Sequence, residues 1–279
     1  MKILVLGITG LIGKTVFEEL SLYKDISVFG TLRGVNDKSK NIYQLDYVAG
    51  VVNLKNIIYE IRPDFVINCI GITKHLNEGN NPLSCVTVNS LLPHTVANYC
   101  QDVNSKLIQV STDCVFTGKK GNYNELDNPD SVDLYGRSKI MGEVVNENNL
   151  TIRTSTIGHE NSTNYGLLEW FLEQESSCSG YSNAFFSGLT TIELARAIKE
   201  FIFSDRDLNG LYHLGGDAIS KYDLLQIISK TYRKEINIIP ENNFSINRTL
   251  DSALFKKKTG YLPPSWEEMI DNMFYKFKK

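Results

Sequence analysis

The 279-residue chain has little cysteine, little proline and no clear excess of either charge. Its five cysteines are odd in number, widely spaced and without a Cys-x-x-Cys pair, so neither a disulfide framework nor a zinc site is indicated and we expect no metal. The 29 Lys and Arg nearly balance the 32 Asp and Glu, which disfavours a nucleic-acid-binding protein that depends on neutralising phosphates. Seven Pro and 20 Gly exclude a collagen-like or low-complexity chain.

Long hydrophobic runs are also missing. The apolar start of the chain is interrupted by Gly7, Thr9 and Gly10, too early for a signal-peptide core or a membrane span. We therefore expect a cytoplasmic protein without a membrane partner. Hydrophobic residues make up 42% and charged residues 22% of the chain, which is a globular composition, and the length suits one large α/β unit or two lobes.

Short apolar runs alternate with amphipathic segments in the first half of the chain. The runs predicted as strands are 2–6, 26–29, 65–69, 107–110 and 150–153. Most are continuously apolar, as expected for a parallel sheet that is covered on both faces. The segments predicted as helices are 11–22, 53–61, 83–100 and 132–148. This order predicts an α/β fold with a Rossmann-type doubly wound parallel sheet.

The alternation loosens after residue 155. Helices are predicted at 165–175, 192–203, 221–231 and 266–277, and short strands at 211–214 and 236–239. We expect residues 1–155 to form the Rossmann domain and residues 156–279 to form mainly a smaller α/β lobe, with about 185–215 returning to the Rossmann core. The apolar stripe of the last helix, from Trp266 to Phe277, is predicted to be core.

A glycine-rich turn, Gly7-Ile8-Thr9-Gly10-Leu11-Ile12-Gly13, joins the first predicted strand to the first predicted helix. A tight turn, a pyrophosphate close to the backbone and a helix packed closely on a strand each favour a residue without Cβ, and the helix N-terminus offers unpaired N–H groups to phosphates. The turn therefore predicts an NAD(P)-binding domain with the second lobe binding the substrate; the alternative is a purely structural turn. The residues expected to contact the cofactor here are Gly7, Thr9, Gly10, Leu11, Ile12 and Gly13.

The end of the second predicted strand bears on the choice of dinucleotide. NAD sites usually carry an acidic residue there, whereas this chain has Arg33 and no acid. A guanidinium suits a 2′-phosphate, so we expect NADPH, with NADH as the alternative. Arg33 could instead be an exposed loop cation. Asp46 could accept a hydrogen bond from the adenine amino group or be an ordinary surface residue.

Tyr135 and Lys139 are separated by one helical turn and so share a face of a predicted helix. A carbonyl reduced by hydride needs a proton donor, and a tyrosine, whose pKa is ordinarily about 10, donates better beside a positive charge. Thr112 follows the strand predicted at 107–110, and open α/β sheets bind ligands at the carboxyl ends of their strands. We predict Tyr135 as proton donor, Lys139 as the supporting charge and Thr112 as the group that orients the carbonyl oxygen. Alternatively, Thr112 only caps the following turn.

Together these motifs resemble the extended short-chain dehydrogenases/reductases and, more narrowly, the dTDP-4-dehydrorhamnose reductase group. The matching stretches are the glycine turn, 111–118, Tyr123 with Glu125 and Asp127, 135–139 with 142–143, 62–64, Asn68, Asn89 and 152–155. The resemblance covers most of the chain and implies that Thr112, Tyr135 and Lys139 are a catalytic triad, with Lys139 also holding the nicotinamide ribose. We also expect cofactor contacts from Cys69, Ile70, Gly71 and Ser111, and we consider a homodimer.

Departures from the family pattern affect the expected substrate. Cys114 stands where rhamnose-forming reductases typically carry Tyr, and Thr156 stands where they typically carry Trp. Because the family's aromatics lie near the sugar, their loss favours a different hexose, such as an N-acetylated 4-keto-6-deoxy sugar on UDP. Arg248 could bind the substrate diphosphate or form a surface ion pair with Asp251. The residues expected to contact the substrate are Thr73, Lys74, Asn89, Cys114, Thr156 and Arg248.

The resemblance implies an NADPH-dependent reductase of the C4 keto group of a nucleotide-activated 4-keto-6-deoxyhexose, in precursor synthesis for a surface polysaccharide. A non-catalytic NADP-binding subunit, similar to the regulatory subunit of methionine adenosyltransferase, is the rival interpretation. A third is an epimerase or dehydratase, which the absence of a Glu after Asp113 disfavours. The histidines show no metal-ligand spacing and are expected to be structural or surface residues: His75, His94, His159 and His213.

Overall fold

The structure is a computed structural model that describes residues 1–34, 39–46, 52–160 and 165–278. Its strands, in chain order, are β1 (Lys2–Leu6), β2 (Ser27–Leu32), β3 (Ile42–Gln44), β4 (Phe65–Asn68), β5 (Lys106–Thr112), β6 (Leu150–Thr154), β7 (Thr156–Ile157), β8 (Ser177–Phe186), β9 (Leu189–Thr190), β10 (Gly210–His213), β11 (Ile219–Ser220) and β12 (Asn237–Asn247). Its α-helices are α1 (Leu11–Ser21), α2 (Val52–Ile61), α3 (Pro82–Cys85), α4 (Leu92–Asp102), α5 (Leu134–Met141), α6 (Leu167–Glu173), α7 (Thr191–Ala197), α8 (Lys221–Tyr232), α9 (Ala253–Thr259) and α10 (Trp266–Phe277).

The main sheet has seven strands in the order β10-β6-β5-β4-β1-β2-β3. Every neighbouring pair is parallel, so the predicted doubly wound sheet is confirmed. Successive side chains of a strand point to opposite faces, and the two faces of β1 accordingly feed two separate apolar cores, one containing Ile3 and Val5 and the other Leu4 and Leu6. The carboxyl ends of the parallel strands therefore share one edge of the sheet.

The C-terminal lobe is a smaller mixed sheet. Its central strand β8 pairs with β11 in the antiparallel sense and with β12 in the parallel sense. β10 leaves this lobe and joins the main sheet beside β6, as the register Gly210↔Leu150 shows. No helix in the described part of the chain is long and apolar enough to cross a membrane.

Several predicted boundaries differ from the structure. The helix predicted at 132–148 ends at Met141, with Gly142 as its C-cap. Further along, the Asn146 side chain accepts hydrogen bonds from the backbone N–H groups of Asn148 and Asn149, which favours a turn over helix there. The sequence prediction also missed β8, which is rich in small polar residues and alternates exposed and buried positions. Tertiary pairing with β11 and β12 compensates for its low strand propensity.

The last helix begins with a capping box formed by Ser265 and Glu268. Its apolar stripe is buried as predicted, apart from one end: Trp266 and Met273 lie in the core, but Phe277 is 60% exposed. Phe277 instead stacks on His159, with 3.7 Å between the ring centroids.

Candidate active site

A cavity of about 570 Å³ opens along the carboxyl ends of β1, β4, β5 and β6. Sixteen of the sequence-predicted cofactor, catalytic and substrate residues line it: Gly7, Thr9, Gly10, Leu11, Ile12, Arg33, Cys69, Ile70, Gly71, Thr73, Ser111, Thr112, Cys114, Tyr135, Lys139 and Thr156. Five predicted residues lie outside this lining: Gly13, Asp46, Lys74, Asn89 and Arg248. The sheet therefore brings most of the glycine turn and the predicted triad to the same cavity.

The glycine turn has the geometry that a close backbone approach requires. Gly7 has φ +84°, a left-handed conformation that favours glycine, and a Cβ there would lie 2.9 Å from the Ile70 side chain. A Cβ at Gly13 would lie 2.2 Å from the Gly7 carbonyl oxygen, so Gly13 packs α1 against the turn instead of facing the cavity. Gly10 precedes α1 without a side-chain cap, which leaves the first turn of the helix available to an anion at the cavity wall.

Arg33 lies on the cavity wall with its side chain 54% exposed. Its Nη1 is 3.5 Å from Oε1 of Glu78, which also lines the cavity. The Arg33–Glu78 ion pair is therefore weak and exposed, and a phosphate could replace Glu78 as the partner of Arg33. Asp46, by contrast, is exposed and outside the cavity lining, which does not favour the predicted adenine contact.

Thr112 is the last residue of β5 and makes two side-chain hydrogen bonds. Its Oγ1 accepts a hydrogen bond from the Cys114 N–H at 3.1 Å, so it caps the following turn. It also lines the same cavity as Tyr135, and its hydroxyl donates to Oδ1 of Asp113 at 3.3 Å. The capping role is therefore observed, and the role of Thr112 in orienting a carbonyl oxygen stays a prediction.

Asp133 begins α5 by accepting a hydrogen bond from the Gly136 N–H at 2.7 Å, which fixes the start of the helix that carries Tyr135 and Lys139. Gly136 allows α5 to approach β5 closely, because a Cβ there would lie 2.5 Å from the carbonyl oxygen of Cys114. The helical spacing therefore delivers both side chains to the cavity.

Burial dominates the electrostatics of Tyr135 and Lys139. It raises the pKa of Tyr135 above its ordinary value, with smaller contributions in the same direction from Cys114 and Asp113, whereas Thr112 lowers it. Burial lowers the pKa of Lys139 to about 8, and its Nζ donates to the Val110 carbonyl at 2.8 Å. The protein alone therefore keeps Tyr135 protonated at neutral pH.

A buried ion pair between Glu143 and Arg153 contacts Ser111, a residue of the cavity wall. Arg153 donates from Nε and Nη2 to the two carboxylate oxygens of Glu143 at 2.8 and 2.7 Å, and Ser111 donates to the same carboxylate at 2.7 Å. Arg153 is also 3.3 Å from Nε2 of His213, whose pKa is lowered to about 4 by burial and then by Arg153. His213 is completely buried, as expected of a structural histidine. The sequence analysis included Glu143 and Arg153 only as parts of motifs and missed this role.

Asn89 does not reach the cavity. Its amide is 1% exposed, accepts a hydrogen bond from the Ile72 N–H at 2.8 Å and donates to the Ile72 carbonyl at 2.9 Å and to Ser138 at 3.0 Å. It lies in a π-helical segment, Val86–Leu91, within the predicted helix 83–100. Because all of these amide bonds are internal, we assign Asn89 to positioning the loop after β4 and not to substrate contact.

The predicted substrate residues Lys74 and Arg248 lie beside the cavity. Arg248 is half-buried, donates to the Phe116 carbonyl at 2.9 Å and lies 3.5 Å from the Cys114 sulfur. An Arg248–Asp251 ion pair is absent from the described residues.

The cavity also contains residues that the sequence did not suggest. His159 lines it and bonds Glu169 at 2.7 Å and the Tyr232 hydroxyl at 2.8 Å, while Tyr165 stacks against His75. These contacts join distant segments, so no local motif could have revealed them. His, Cys, Asp and Glu form no group able to hold a metal ion within the described residues.

The chain matches one family model along its whole length. The model is described as the RmlD substrate binding domain and matches residues 1–279. Among curated relatives, the dTDP-4-dehydrorhamnose reductase of Salmonella typhimurium is 23% identical over 306 residues, covering 98% of each chain. Methionine adenosyltransferase 2 subunit beta of Bos taurus is 30% identical over 150 residues, which are 53% of this chain and 44% of that relative. The chain therefore spans less than half of the latter protein.

Solved structures show the same fold. The dTDP-4-dehydrorhamnose reductase of Bacillus anthracis in complex with NADP has a TM-score of 0.82 at 22% identity, with 99% of each chain covered. The UDP-glucuronic acid 4-epimerase of Bacillus cereus in complex with NAD has a TM-score of 0.76 at 17% identity, covering 100% of this chain and 96% of that one. With the family match over its full length, the chain belongs to the RmlD substrate-binding domain family, the dTDP-4-dehydrorhamnose reductase-like branch of the extended short-chain dehydrogenases/reductases.

Proposed function

We propose that this protein is an NADPH-dependent reductase of the C4 keto group of a nucleotide-activated 4-keto hexose. The first candidates are dTDP-4-dehydrorhamnose and a UDP-linked 4-keto-6-deoxy-N-acetylhexosamine, used in precursor synthesis for a surface polysaccharide in the cytoplasm. The observation that carries the proposal is that Thr112, Tyr135 and Lys139 share one cavity with the glycine turn. Dehydrorhamnose reductases among the relatives support the same chemistry.

The residues present fit a dinucleotide. The left-handed Gly7 and the uncapped start of α1 at Gly10 suit a pyrophosphate. Arg33 lies on the same wall and suits the 2′-phosphate of NADPH. Since a phosphate competes with Glu78 for Arg33, and NADH offers no such group, we propose a preference for NADPH. When bound, the cofactor supplies the hydride.

The protein's own groups handle the proton. Tyr135 carries its proton at neutral pH, since the ordinary pKa of a tyrosine is about 10 and burial raises that of Tyr135 further, so a proton is present for the oxygen of the reduced carbonyl. Thr112 lines the same cavity as Tyr135 and can orient the same oxygen. Lys139 donates a hydrogen bond to the Val110 carbonyl. At a pH below its pKa of about 8, it places a positive charge at the cavity wall. That charge stabilises negative charge developing nearby.

The test follows the absorbance of NADPH with purified protein and freshly made dTDP- and UDP-linked 4-keto-6-deoxyhexoses, with and without the N-acetyl group. We expect rapid oxidation with one of them and less than 1% of that rate in Tyr135→Phe, within the range ordinarily attributed to general acid catalysis. Turnover at the wild-type rate in Tyr135→Phe would contradict the mechanism. Exposed Tyr275 on α10, substituted in the same way, serves as the control and should leave the rate unchanged.

A second candidate is a non-catalytic NADP-binding subunit, which the similarity to methionine adenosyltransferase 2 subunit beta favours. It predicts tight NADPH binding, no ketosugar turnover and association with a methionine adenosyltransferase. The epimerase or dehydratase alternative predicts that nicotinamide stays bound through purification. We also propose that the protein forms a homodimer, which the sedimentation velocity of the purified protein would test.

A further inference from the structure

His159 lies on the cavity wall and is held by side chains from three separate helices. Its Nδ1 lies 2.7 Å from Oε1 of Glu169 on α6, and its Nε2 lies 2.8 Å from the hydroxyl of Tyr232 on α8. The ring of Phe277, the last residue of α10, stacks on the imidazole with 3.7 Å between the ring centroids. Only 9% of the His159 side chain is exposed. Both ring nitrogens and one face of the ring are therefore occupied.

These partners fix the proton arrangement on the imidazole. An ionised carboxylate only accepts hydrogen bonds, so Nδ1 carries a hydrogen and donates it to Glu169. Burial lowers the pKa of His159, although Glu169 acts in the opposite direction, so at neutral pH Nε2 accepts a hydrogen bond from the Tyr232 hydroxyl. Burial also raises the pKa of Tyr232, which keeps its proton. The imidazole has no free nitrogen for a proton of the reaction, which suits a positioning role and not proton transfer.

The residues on either side of His159 connect it to the start of α1. A Cβ at Gly158 would lie 3.1 Å from Cδ1 of Leu11, the first residue of α1. The Glu160 N–H donates to Oε1 of Glu169 at 3.3 Å, so one carboxylate holds two consecutive residues. Leu11, His159 and Glu160 all line the cavity. This part of the wall therefore lies beside the helix start that suits a pyrophosphate.

His159 also separates the main cavity from a smaller one. The second cavity, of about 250 Å³, lies between α1 and α10, and its lining includes Met273 and Phe277. Among the residues that the structure describes, Lys14 and His159 are the two that line both cavities. Without the imidazole, water would reach the start of α1 from the side of α10. Exclusion of water lowers the local dielectric and so strengthens the attraction between a phosphate and the helix start.

We propose that His159 is a positioning residue for the bound dinucleotide. Held by Glu169 and Tyr232, it fixes the wall beside the start of α1 and closes the cavity on the side of α10. The inference rests on the proposed function in one respect, which is that the ligand of the cavity is a nicotinamide dinucleotide. A wall that is ordered before binding costs the ligand no ordering free energy, so loss of either partner should weaken binding.

Titrations of NADPH, followed by fluorescence, test this role without requiring turnover. They compare wild type with His159→Ala, Tyr232→Phe and a matched control, Tyr275→Phe, whose side chain is exposed on α10. We expect about fivefold weaker binding in Tyr232→Phe, which loses one hydrogen bond, and about tenfold or more in His159→Ala. Tyr275→Phe should bind as wild type does. Urea unfolding of each variant separates the two roles, because a purely structural role would lower stability and leave the affinity unchanged.

Imidazole NMR signals of protein labelled with isotopic histidine give a second readout. The His159 signals, identified by their loss in His159→Ala, should indicate a neutral ring with hydrogen on Nδ1 and should shift when NADP is added. His94, exposed on α4 and outside the cavity lining, is the internal control. Unchanged NADPH affinity in Tyr232→Phe, or a His159 signal that does not respond to NADP, would overturn the proposal. Absence of ketosugar turnover together with the expected losses of affinity would overturn the proposed activity and leave the role of His159 standing.

Discussion

The buried Glu143–Arg153 pair offers the most quantitative test of the structure. The two side chains are 7% and 3% exposed, and the guanidinium donates to both carboxylate oxygens. Glu143→Gln keeps the shape but leaves the charge of Arg153 buried without a counter-ion, a change that ordinarily costs about 3–5 kcal/mol. Because the amide oxygen can still accept one hydrogen bond, we expect the lower end, about 3 kcal/mol of the free energy of unfolding.

Urea unfolding followed by tryptophan fluorescence measures this loss, since Trp266 lies in the core. The matched control is Glu147→Gln, an exposed carboxylate close in sequence, which should change stability by less than about 0.5 kcal/mol. A double variant with Glu143→Leu and Arg153→Met removes both charges and should recover much of the lost stability. A loss below about 1 kcal/mol in Glu143→Gln, or no recovery in the double variant, would refute the reasoning. The double variant should also weaken NADPH binding, because leucine at position 143 removes the acceptor that fixes Ser111 at the cavity wall.

Three further outcomes follow from the site. Arg33→Ala should weaken NADPH binding about tenfold and leave NADH binding unchanged, as fluorescence titrations of the two cofactors would show; equal losses for both would contradict the 2′-phosphate role. Because burial lowers the pKa of Lys139 to about 8, its ammonium is present below that pH and lost above it, so kcat/KM should fall as the pH rises through about 8; a flat profile from pH 7 to about 9.5 would count against that role. Gly13→Ala should abolish tight NADPH binding, measured by the same titration, because the new Cβ would lie 2.2 Å from the Gly7 carbonyl oxygen; wild-type affinity would show that the turn tolerates the methyl group.

Local patterns in the sequence were enough to predict that the glycine turn, Thr112, Tyr135 and Lys139 lie at one site, and the structure brings them to one cavity. A glycine at Gly7 is required by a left-handed backbone conformation, and a spacing of one helical turn places Tyr135 and Lys139 on one face. Such requirements act within a few residues, so a single sequence displays them. The alternation of apolar runs and amphipathic segments likewise determined the parallel sheet, because β1 must bury both of its faces.

Long-range packing determined side-chain contacts and one strand that local sequence patterns did not reveal. Asn89 belongs to a family motif, yet its partner is the Ile72 backbone and its role is to hold a loop. Arg248 is far from Cys114 in the sequence, and its side chain reaches the Cys114 sulfur because the C-terminal lobe packs beside the turn that follows β5. β8, with weak strand propensity, exists because β11 and β12 pair with it.

The sequence by itself determined the class of sheet, the tight glycine turn and the shared helix face of Tyr135 and Lys139, because each depends on periodicity or on one residue's conformational freedom. Only the tertiary structure decided the charge environment of those groups. The pKa values of Tyr135 and of Lys139 depend on burial, and the contact of Arg248 with the Cys114 sulfur depends on two segments distant in sequence. Burial and charge proximity are properties of the folded chain, since desolvation and Coulomb energies depend on distances in space and not along the sequence.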